Sequence, residues 1–278
     1  MIINAPDKAQ YPALKKLWQE AFGDTEEFLD TFWRTAFSPD RCRCVTINGQ
    51  VAAALYWFDC SYKQISSDTA EPVAYIYAVA TTKAYQGQGI CHKLMLDTHR
   101  LLAGLGYAGA ILVPGSKELF RLYEGMGYDT CSYINELHCS AKEASDDFFT
   151  KTPASGMFHA ASVQNELRPI DMAEYAVIRR RLLPERGIIQ ENENLHFLNT
   201  HASFYAGADY LLACSGDGDT LQGIELLGNT ASAANIIRVL GYTRGIFRTP
   251  GNDIPFAMYY PLKHNKQLQP AYFGLAFD

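Results

Sequence analysis

A glycine-containing loop joins a strand-like run to an amphipathic helix, and it constrains the fold of this chain more than any other stretch. Residues 74–80 are apolar, the loop carries Gly87 and Gly89, and Ile90 begins a helical repeat of apolar residues. Unpaired backbone N–H groups and the positive end of a helix dipole meet at such a helix start. Glycine also leaves the backbone bare for a ligand and accepts positive φ. The stretch therefore predicts a cradle for an anionic phosphate.

Spacing distinguishes the phosphate-binding motifs that this loop might represent. The run from Gly87 has no Gly-Lys pair at the spacing that a Walker loop requires. A Rossmann GxGxxG motif needs a third glycine at position 92, where this chain has histidine. The segment 86–91 therefore fits neither motif. An ordinary glycine-rich turn between a strand and a helix remains an alternative.

Length and charge limit the class of protein. The chain has 278 residues, enough for two ordinary domains, and 48% of them are hydrophobic. A formal net charge of -6 argues against non-specific binding to nucleic acid, which requires a basic surface. The sequence shows no signal peptide and no apolar run long enough to span a membrane. A cytoplasmic protein without nucleic-acid or membrane partners is predicted.

The seven cysteines are scattered and form no metal-binding pattern. Cys42 and Cys44 share one face of a predicted strand, but no CxxC or Cys/His ligand spacing is present. Buried thiols are therefore predicted, and no metal site is expected.

Hydrophobic periodicity orders the first half as a strand, two helices, several strands, a helix, a strand, a helix and a last strand. A type I′ turn at Asn48-Gly49 predicts a hairpin between 42–47 and 51–58. The other predicted elements are helix 90–105, strand 108–113, a helix from Ser116 to Met126 and strand 128–138.

Two motifs in this order resemble those of the Gcn5-related N-acetyltransferases (GNAT). Gln86-Gly87-Gln88-Gly89-Ile90-Cys91 is similar to the acyl-CoA signature [Gln/Arg]-x-x-Gly-x-[Gly/Ala] of that family, with Cys91 as a slightly larger last residue. The segment from Ser116 to Tyr128 resembles the closing motif of the family, although Ser116 replaces the usual asparagine. The sequence around the loop, at residues 79–81 and 85–89, is most similar to that of the enhanced intracellular survival branch of the family.

The resemblance implies a fold, a cosubstrate and a set of site residues. The expected fold is α/β (α+β), with a mixed, mostly antiparallel central sheet flanked by helices. Acetyl-CoA is the implied cosubstrate, and no metal is required. Its binding residues would be Val79, Ala80 and Thr81 on the strand and Gln86, Gly87, Gln88, Gly89, Ile90 and Cys91 in the loop.

The same resemblance suggests how acyl transfer would be catalysed. Tyr123 occupies the position of the tyrosine that protonates the leaving thiolate in this family. A core tyrosine is the structural alternative. The residues leave the general base open among Asp59, Glu71 and Tyr77, while the enhanced intracellular survival branch uses a terminal carboxylate. Because residues 272–277 are largely apolar and suited to docking on the first domain, Asp278 and its terminal carboxylate are a candidate base.

The second half is predicted to be a degenerate copy of the first. Residues 1–140 form the expected acetyl-CoA-binding domain, 141–164 the expected linker, with a candidate strand at 157–160, and 165–278 the expected second domain. The run 241–252 echoes 106–116 in its Gly-Tyr, apolar strand and Pro-Gly, with one residue inserted. No Gly-x-Gly precedes the helix predicted at 230–240, so this copy is not expected to bind CoA.

Three functions remain open on the sequence alone. The favoured one is transfer of an acetyl group to a primary amine of a small molecule or peptide, by direct attack in a ternary complex. A non-catalytic CoA sensor or scaffold is the alternative, and an unrelated nucleotide-binding protein is a third. The identity of the acceptor is not readable from the sequence, and a homodimer is left open.

Overall fold

The computed structural model describes residues 1–63, 70–143, 167–263 and 270–277, with two compact units. The first unit comprises Met1–Tyr133, Pro184–Thr200 and Pro255–Asp278. The second unit comprises Ile134–Leu183 and His201–Ile254. The chain therefore returns to the first unit twice after leaving it.

The strands and helices that the structure describes are as follows. The strands are β1 (Ile2–Asn4), β2 (Cys42–Ile47), β3 (Gln50–Lys63), β4 (Ala70–Thr81), β5 (Gly109–Leu112), β6 (Asp129–Ser140), β7 (Arg168–Pro169), β8 (Ile188–Gln190), β9 (Ser203–Ala206), β10 (Tyr210–Asp217), β11 (Thr220–Gly228), β12 (Arg244–Pro250) and β13 (Ile254–Pro261). The helices are α1 (Tyr11–Phe22), α2 (Glu26–Thr35), α3 (Ile90–Gly104), α4 (Lys117–Glu124), α5 (Met172–Leu182), α6 (Glu193–Leu198) and α7 (Ala233–Val239).

The sheet of the first unit has the order β1-β2-β3-β4-β5-β13, and β8 also pairs with β3. Among these pairs only β4 and β5 are parallel, as expected for strands joined through a helix. The predicted hairpin forms between β2 and β3, with Asn48 and Gly49 at positive φ. The expected mixed, mostly antiparallel sheet with flanking helices is confirmed.

Local sequence explains where the first two helices begin and end. α1 has a proline in its first turn and ends at Gly23, which has φ 77° and donates its N–H to Gln19 O. α2 begins at Thr25, whose hydroxyl accepts a hydrogen bond from Phe28 N at 3.2 Å. Trp18 and Phe32, on the predicted apolar stripes, are each 2% exposed. The stripes therefore belong to the core.

The two faces of the central strands carry different cores. Alternate residues of β3 point to opposite faces, so Leu55 and Trp57 pack in the cluster that contains α3 residues such as Leu94. Tyr56 and Phe58 lie on the other face, within 6.5 Å of the Phe32 ring centroid. One face of the sheet is thus mainly aliphatic and supports α3, while the other is mainly aromatic.

The second unit has its own sheet, in the order β6-β12-β11-β10-β9-β7, where β6 contributes its residues from Ile134 onward. β11 and β12 are parallel and are connected through α7, the same arrangement as β4, α3 and β5. A buried ion pair joins α5 to β11, with Arg179 Nε 2.7 Å from Glu225 Oε2. Tyr175 donates its hydroxyl proton to the same oxygen at 2.9 Å.

The predicted domain limits of 1–140, 141–164 and 165–278 remain predictions. Residues 141–143 form a single 3₁₀ turn, whereas 144–166, including the strand predicted near 157–160, lie outside the described residues. Within the described ranges, none of the helices has the length and apolar character needed to cross a membrane.

Candidate active site

β4 changes its pairing midway, and this change opens the sheet of the first unit. Its first part pairs with β3 on one edge and, from Val73 to Tyr75, with β5 on the other. After Tyr75, none of the described strands pairs with the far edge of residues 78–81, which pair with β3 on the near edge. The far edge of 78–81 therefore offers backbone donors and acceptors to a ligand that adds as a strand.

A bulge lies within the same open stretch. Ala78 has φ 48°, unusual for a residue with a Cβ, and the register with β3 shifts between Ala54 and Tyr56. A bulge bends its strand and redirects the residues that follow. It coincides with the region where β4 no longer pairs with β5.

The loop after β4 is folded on itself by its glutamines. The side-chain amide of Gln86 donates to Thr81 O and that of Gln88 donates to Ala84 O, both at 2.9 Å. Gly87 and Gly89 have φ values of 73° and 72°. No atom would lie within 4 Å of a Cβ added to either glycine, so the backbone there is open to a ligand.

The start of α3 supplies unpaired donors next to these glycines. Gly89 is the residue before the helix and gives it no side-chain cap. The bond from Lys93 N to Gly89 O, at 3.1 Å, is the first of the helical pattern, so the N–H groups of Ile90, Cys91 and His92 have no helical acceptor. Together with the helix dipole, these groups have the arrangement that could hold an anion.

Cys91 is partly buried under this loop. Burial raises the pKa of its thiol to about 11, so the side chain is neutral near pH 7. Cys91 packs against the aliphatic cluster of the first unit. It acts there as a small apolar residue, consistent with its place in the last slot of the glycine motif.

Tyr123 lies on α4, in the same cluster as Cys91. Ser116 caps this helix by accepting a hydrogen bond from Leu119 N at 3.4 Å. Tyr123 is 7% exposed, and burial, with the nearby Cys91 thiol, raises the pKa of its hydroxyl above the ordinary value. None of the described residues hydrogen-bonds to that hydroxyl. The phenol is therefore protonated at neutral pH and available to a ligand.

The segment 270–277 packs against the aromatic face of β3 and β4. Tyr77 donates its hydroxyl proton to Phe277 O at 2.9 Å, and Phe277 N donates to the Tyr75 hydroxyl at 3.5 Å. The Phe277 ring lies 4.7 Å from that of Phe58. Residue 277 thus lies beside Tyr77, which immediately precedes the bulge at Ala78. Asp278, the candidate base, lies outside the described residues.

Side chains from two other parts of the first unit hold this segment in place. The Ser132 hydroxyl accepts from Phe273 N at 2.9 Å and donates to Phe273 O at 3.4 Å. Gln190 donates its amide proton to Leu275 O at 2.6 Å. Alternate residues of the segment are therefore bonded through their backbones, as they would be in a sheet.

The two carboxylates weighed from the sequence as bases are engaged elsewhere. Asp59 pairs with Arg41 at 3.3 Å and accepts a hydrogen bond from Tyr107, and Glu71 pairs with Lys263 at 2.9 Å. Asp59 faces Ala74 across the sheet. At roughly 3.3 Å per residue, Asp59 lies about 16 Å and Glu71 about 26 Å from Val79 along the strand. Neither reaches the open stretch of β4.

Metal binding has no support in the part of the chain that the structure describes. No group of three or more His, Cys, Asp or Glu side chains is placed to hold an ion there. Burial raises the pKa of the adjacent thiols Cys42 and Cys44.

In the second unit, the described residues pair β11 with β12 only as far as Gly223, and a bulge follows at Ile224, where the register between β10 and β11 shifts. A Cβ added to Gly223 would come 2.3 Å from the Phe247 ring, and one added to Gly228 would come 2.2 Å from Asp209 O. Unlike Gly87 and Gly89, these two glycines have other protein atoms close to the position of a Cβ.

Several contacts of the site are not apparent in the sequence. The roles of Tyr77, Ser132 and Gln190 depend on partners that are 85 to 200 residues away. The tyrosines at 75 and 77 lie on one face of the strand, and this repeat is the only local signal for the contact of Tyr77. His99 is buried and gives no signal beyond its helical position.

Comparison with protein families identifies the first part of the chain. Residues 3–131 match the family model described as an acetyltransferase (GNAT) domain. No curated protein matches the chain.

Solved structures share the fold at low sequence identity. A GCN5-related N-acetyltransferase from Kribbella flavida is 15% identical with a TM-score of 0.69, over 94% of this chain and 70% of its own. A probable N-acyltransferase from Enterococcus faecalis V583 is 17% identical with a TM-score of 0.69, over 94% and 72%. Eis1 from Mycobacterium abscessus is 11% identical with a TM-score of 0.65, over 95% and 74%.

Proposed function

We propose that this chain moves an acetyl group from acetyl-CoA to a primary amine. The premises are that residues 3–131 form an acetyltransferase (GNAT) domain and that the chain is an acyltransferase. The observation that carries this proposal is the edge of β4 at 78–81 that no described strand covers, which leads directly into the open glycine loop and the start of α3. One extended ligand with a diphosphate group satisfies both features.

Acetyl-CoA would use these features in order. Its pantetheine arm would pair with the backbone of Val79, Ala80 and Thr81 on the open edge of β4. Its diphosphate would accept hydrogen bonds from the N–H groups of residues 86–91, where the glycines have open space around them. Gln86 and Gln88 would support the loop through their bonds to Thr81 and Ala84.

The chemistry is direct attack in a ternary complex. The amine nitrogen attacks the thioester carbonyl carbon, a C–N bond forms and the C–S bond breaks. Tyr123, protonated and free of protein partners among the described residues, gives its proton to the departing thiolate. A backbone N–H on the open edge of β4 would stabilise the oxyanion.

The proton of the attacking amine requires a base, and we propose the carboxylate of Asp278. The support is the position of Phe277, whose carbonyl is bonded to Tyr77 one residue before the bulge. The second unit would be a degenerate copy without a cofactor site, because no Gly-x-Gly like that of Gly87 and Gly89 immediately precedes α7.

Ligand-induced stabilisation gives the first test. Acetyl-CoA should raise the melting temperature, since binding at a hundredfold excess over Kd stabilises a protein by about 2.7 kcal/mol. ATP and NAD should have little effect. A shift with ATP or NAD but none with acetyl-CoA would overturn the proposal.

Turnover of Tyr123→Phe gives the second test. With a panel of primary amines, the wild type should release CoA, and kcat of the variant should fall by roughly 10²- to 10⁴-fold with acetyl-CoA binding retained. Tyr133→Phe, at an exposed tyrosine of the same unit, is the control and should be unchanged. Tight binding of acetyl-CoA without CoA release for any amine would favour a non-catalytic sensor.

The role of Asp278 is tested separately. Loss of turnover in Asp278→Asn would assign the base to the side-chain carboxylate, whereas loss only in a variant with several residues appended after Asp278 would assign it to the terminal carboxylate. Both variants should keep the thermal shift with acetyl-CoA. Unchanged kinetics in both variants would show that the base lies elsewhere.

A further inference from the structure

A buried histidine in α3 has no role in the proposed chemistry. His99 is 4% exposed, and its Nε2 lies 2.7 Å from the hydroxyl oxygen of Tyr128. The ring of Tyr260 stacks on the imidazole with centroids 4.1 Å apart and an angle of 16°. His99 is therefore fixed on one face by an aromatic ring and at one nitrogen by a hydrogen bond.

Tyr128 in turn is attached to Tyr123 in two ways. Its backbone N–H donates to Tyr123 O at 3.0 Å. The two rings meet edge to face, with centroids 5.7 Å apart and an angle of 62°. Because Tyr128 is 1% exposed and well packed, a displacement of its ring would displace that of Tyr123.

Packing alone does not explain an imidazole at this position. Burial lowers the pKa of His99 to about 4, which shows that its charged form is disfavoured there. Its Nδ1 is also buried, with no hydrogen-bond partner among the described residues. An aliphatic side chain would fill similar space without a buried unpaired nitrogen. The distinguishing contribution of His99 is thus its bond to Tyr128.

We propose that His99 and Tyr128 are positioning residues, which hold the ring of Tyr123 at a fixed place relative to the start of α3. The inference rests on the proposed role of Tyr123 as the acid. α3 carries the cofactor loop at its first residue, Ile90, and His99 lies nine residues further, about 13 Å along the helix. The hydrogen bond ties this helix to the chain that follows α4.

The consequence is a fixed distance between two parts of the site. The loop at the start of α3 would set the position of the thioester sulfur, and the cluster around Tyr128 would set the position of the Tyr123 hydroxyl. Small misplacements of a catalytic group slow the reaction without weakening the binding of the substrate elsewhere. The effect should therefore appear in kcat rather than in KM.

Tyr128→Phe removes the hydroxyl and retains the ring, and it is the first variant to measure. We expect kcat to fall about tenfold, with unchanged KM for acetyl-CoA and an unchanged thermal shift. The matched control is Tyr260→Phe, which retains the stack on His99 and removes a hydroxyl that no described residue bonds.

A double-variant cycle tests whether Tyr128 acts through Tyr123. The variant Tyr123→Phe/Tyr128→Phe should be no slower than Tyr123→Phe, because a misplaced acid has no further effect once the acid is gone. If the two losses multiply, the inference is wrong and Tyr123 stands as the acid. If Tyr123→Phe has wild-type kcat, both the acid role and its positioning are wrong.

A further variant separates positioning from folding. His99→Leu/Tyr128→Phe removes both polar partners and leaves neither unpaired. Its melting temperature should therefore lie closer to that of the wild type than the melting temperature of Tyr128→Phe does. We expect kcat to remain low despite this recovery. Recovery of kcat together with stability, or a rise in KM in Tyr128→Phe, would show a purely structural role.

Discussion

Gly87 has a left-handed backbone and open surroundings. Its contributions to stability and to ligand binding can therefore be measured separately. Alanine at φ 73° is strained, at a cost of about 1 kcal/mol, but it meets no neighbouring atom. We predict that Gly87→Ala lowers the free energy of unfolding by about that amount and weakens acetyl-CoA binding about tenfold. Urea unfolding and isothermal titration with acetyl-CoA measure the two effects.

Gly49 supplies the matched control for this prediction. It has φ 79° and equally open surroundings, but it lies in the hairpin turn between β2 and β3. Gly49→Ala should show the same loss of stability with unchanged affinity. Equal affinities of the two variants would mean that the ligand does not approach the backbone of the loop.

His99 makes the stability of the first unit depend on pH. Its pKa is 6.5 in the unfolded reference and about 4 in the fold, lowered first by burial and then by His92. Below pH 6.5 the unfolded chain binds a proton that the folded chain does not, so stability falls as pH decreases toward 4. The loss over this range is about 3 kcal/mol.

Urea unfolding at several pH values checks this prediction. His99→Leu/Tyr128→Phe should lose this component of the pH dependence, and His138→Gln, which changes an exposed histidine, should retain it. Burial raises the pKa of the neighbouring Tyr128 hydroxyl, so this partner stays neutral in the range and the imidazole is the titrating group. An NMR pKa of His99 near 6.5 in the folded protein would contradict the prediction.

Residues of the site differ in how far the sequence could reveal them. The loop glycines and Tyr123 follow from motifs of a few adjacent residues. The hydrogen bonds of Tyr77, which the sequence offers only as one of three candidate bases, and of His99 do not, because bonds between residues 200 and 29 positions apart leave no local pattern. Asp59 and Glu71 are attractive candidates in the sequence, but each is paired with a cation toward the other end of β4.

At the scale of elements, the segment 270–277 is unusual because side chains make hydrogen bonds to its backbone groups at Phe273 and Leu275. Ser132 makes two hydrogen bonds to Phe273. We predict that Ser132→Ala leaves both buried backbone groups unpaired and lowers the free energy of unfolding by about 1–3 kcal/mol. Urea unfolding measures this loss, and hydrogen exchange at Phe273 should become faster.

Ser61→Ala is the control for Ser132→Ala. Ser61 lies on β3 in the same unit, and its hydroxyl has no partner among the described residues. Its replacement should change stability by less than about 0.5 kcal/mol. Equal effects of the two substitutions would show that the bonds to Phe273 do not stabilise the segment.

The periodic elements are the part of the fold that the sequence predicts well. The helix expected at 90–105 is α3, Ile90–Gly104, and the strand expected at 108–113 is β5, Gly109–Leu112. The short elements β8 and α6 were not predicted, because three and six residues give too little periodicity. Their positions depend on Gln190 and Phe197 meeting distant parts of the first unit.

At the scale of the whole molecule, sequence order and compactness disagree. Residues 184–200 and 255–277 belong to the first unit, although segments of the second unit, 134–183 and 201–254, precede each of them in the sequence. We predict that a fragment of residues 1–140 is not a stable domain, since it lacks β13, the antiparallel partner of β5, and the segment that covers the aromatic face. Circular dichroism and urea unfolding of the fragment measure this.

The full chain provides the reference for that experiment. It should unfold cooperatively in urea, whereas the fragment should show a shallow transition or aggregate through the unpaired edge of β5. A cooperative transition of the fragment, with acetyl-CoA binding retained, would show that the two later segments are dispensable.

The late position of β13 also has a consequence for synthesis on the ribosome. The open stretch of β4 and the glycine loop emerge early, but β5 gains its second neighbour only when residues 254–261 have been translated. At roughly 5–20 residues per second, the nascent first unit waits several seconds with that edge exposed. The site is thus completed after the second unit has been made, so an interrupted polypeptide carries the motif residues of an acetyltransferase without the assembled enzyme.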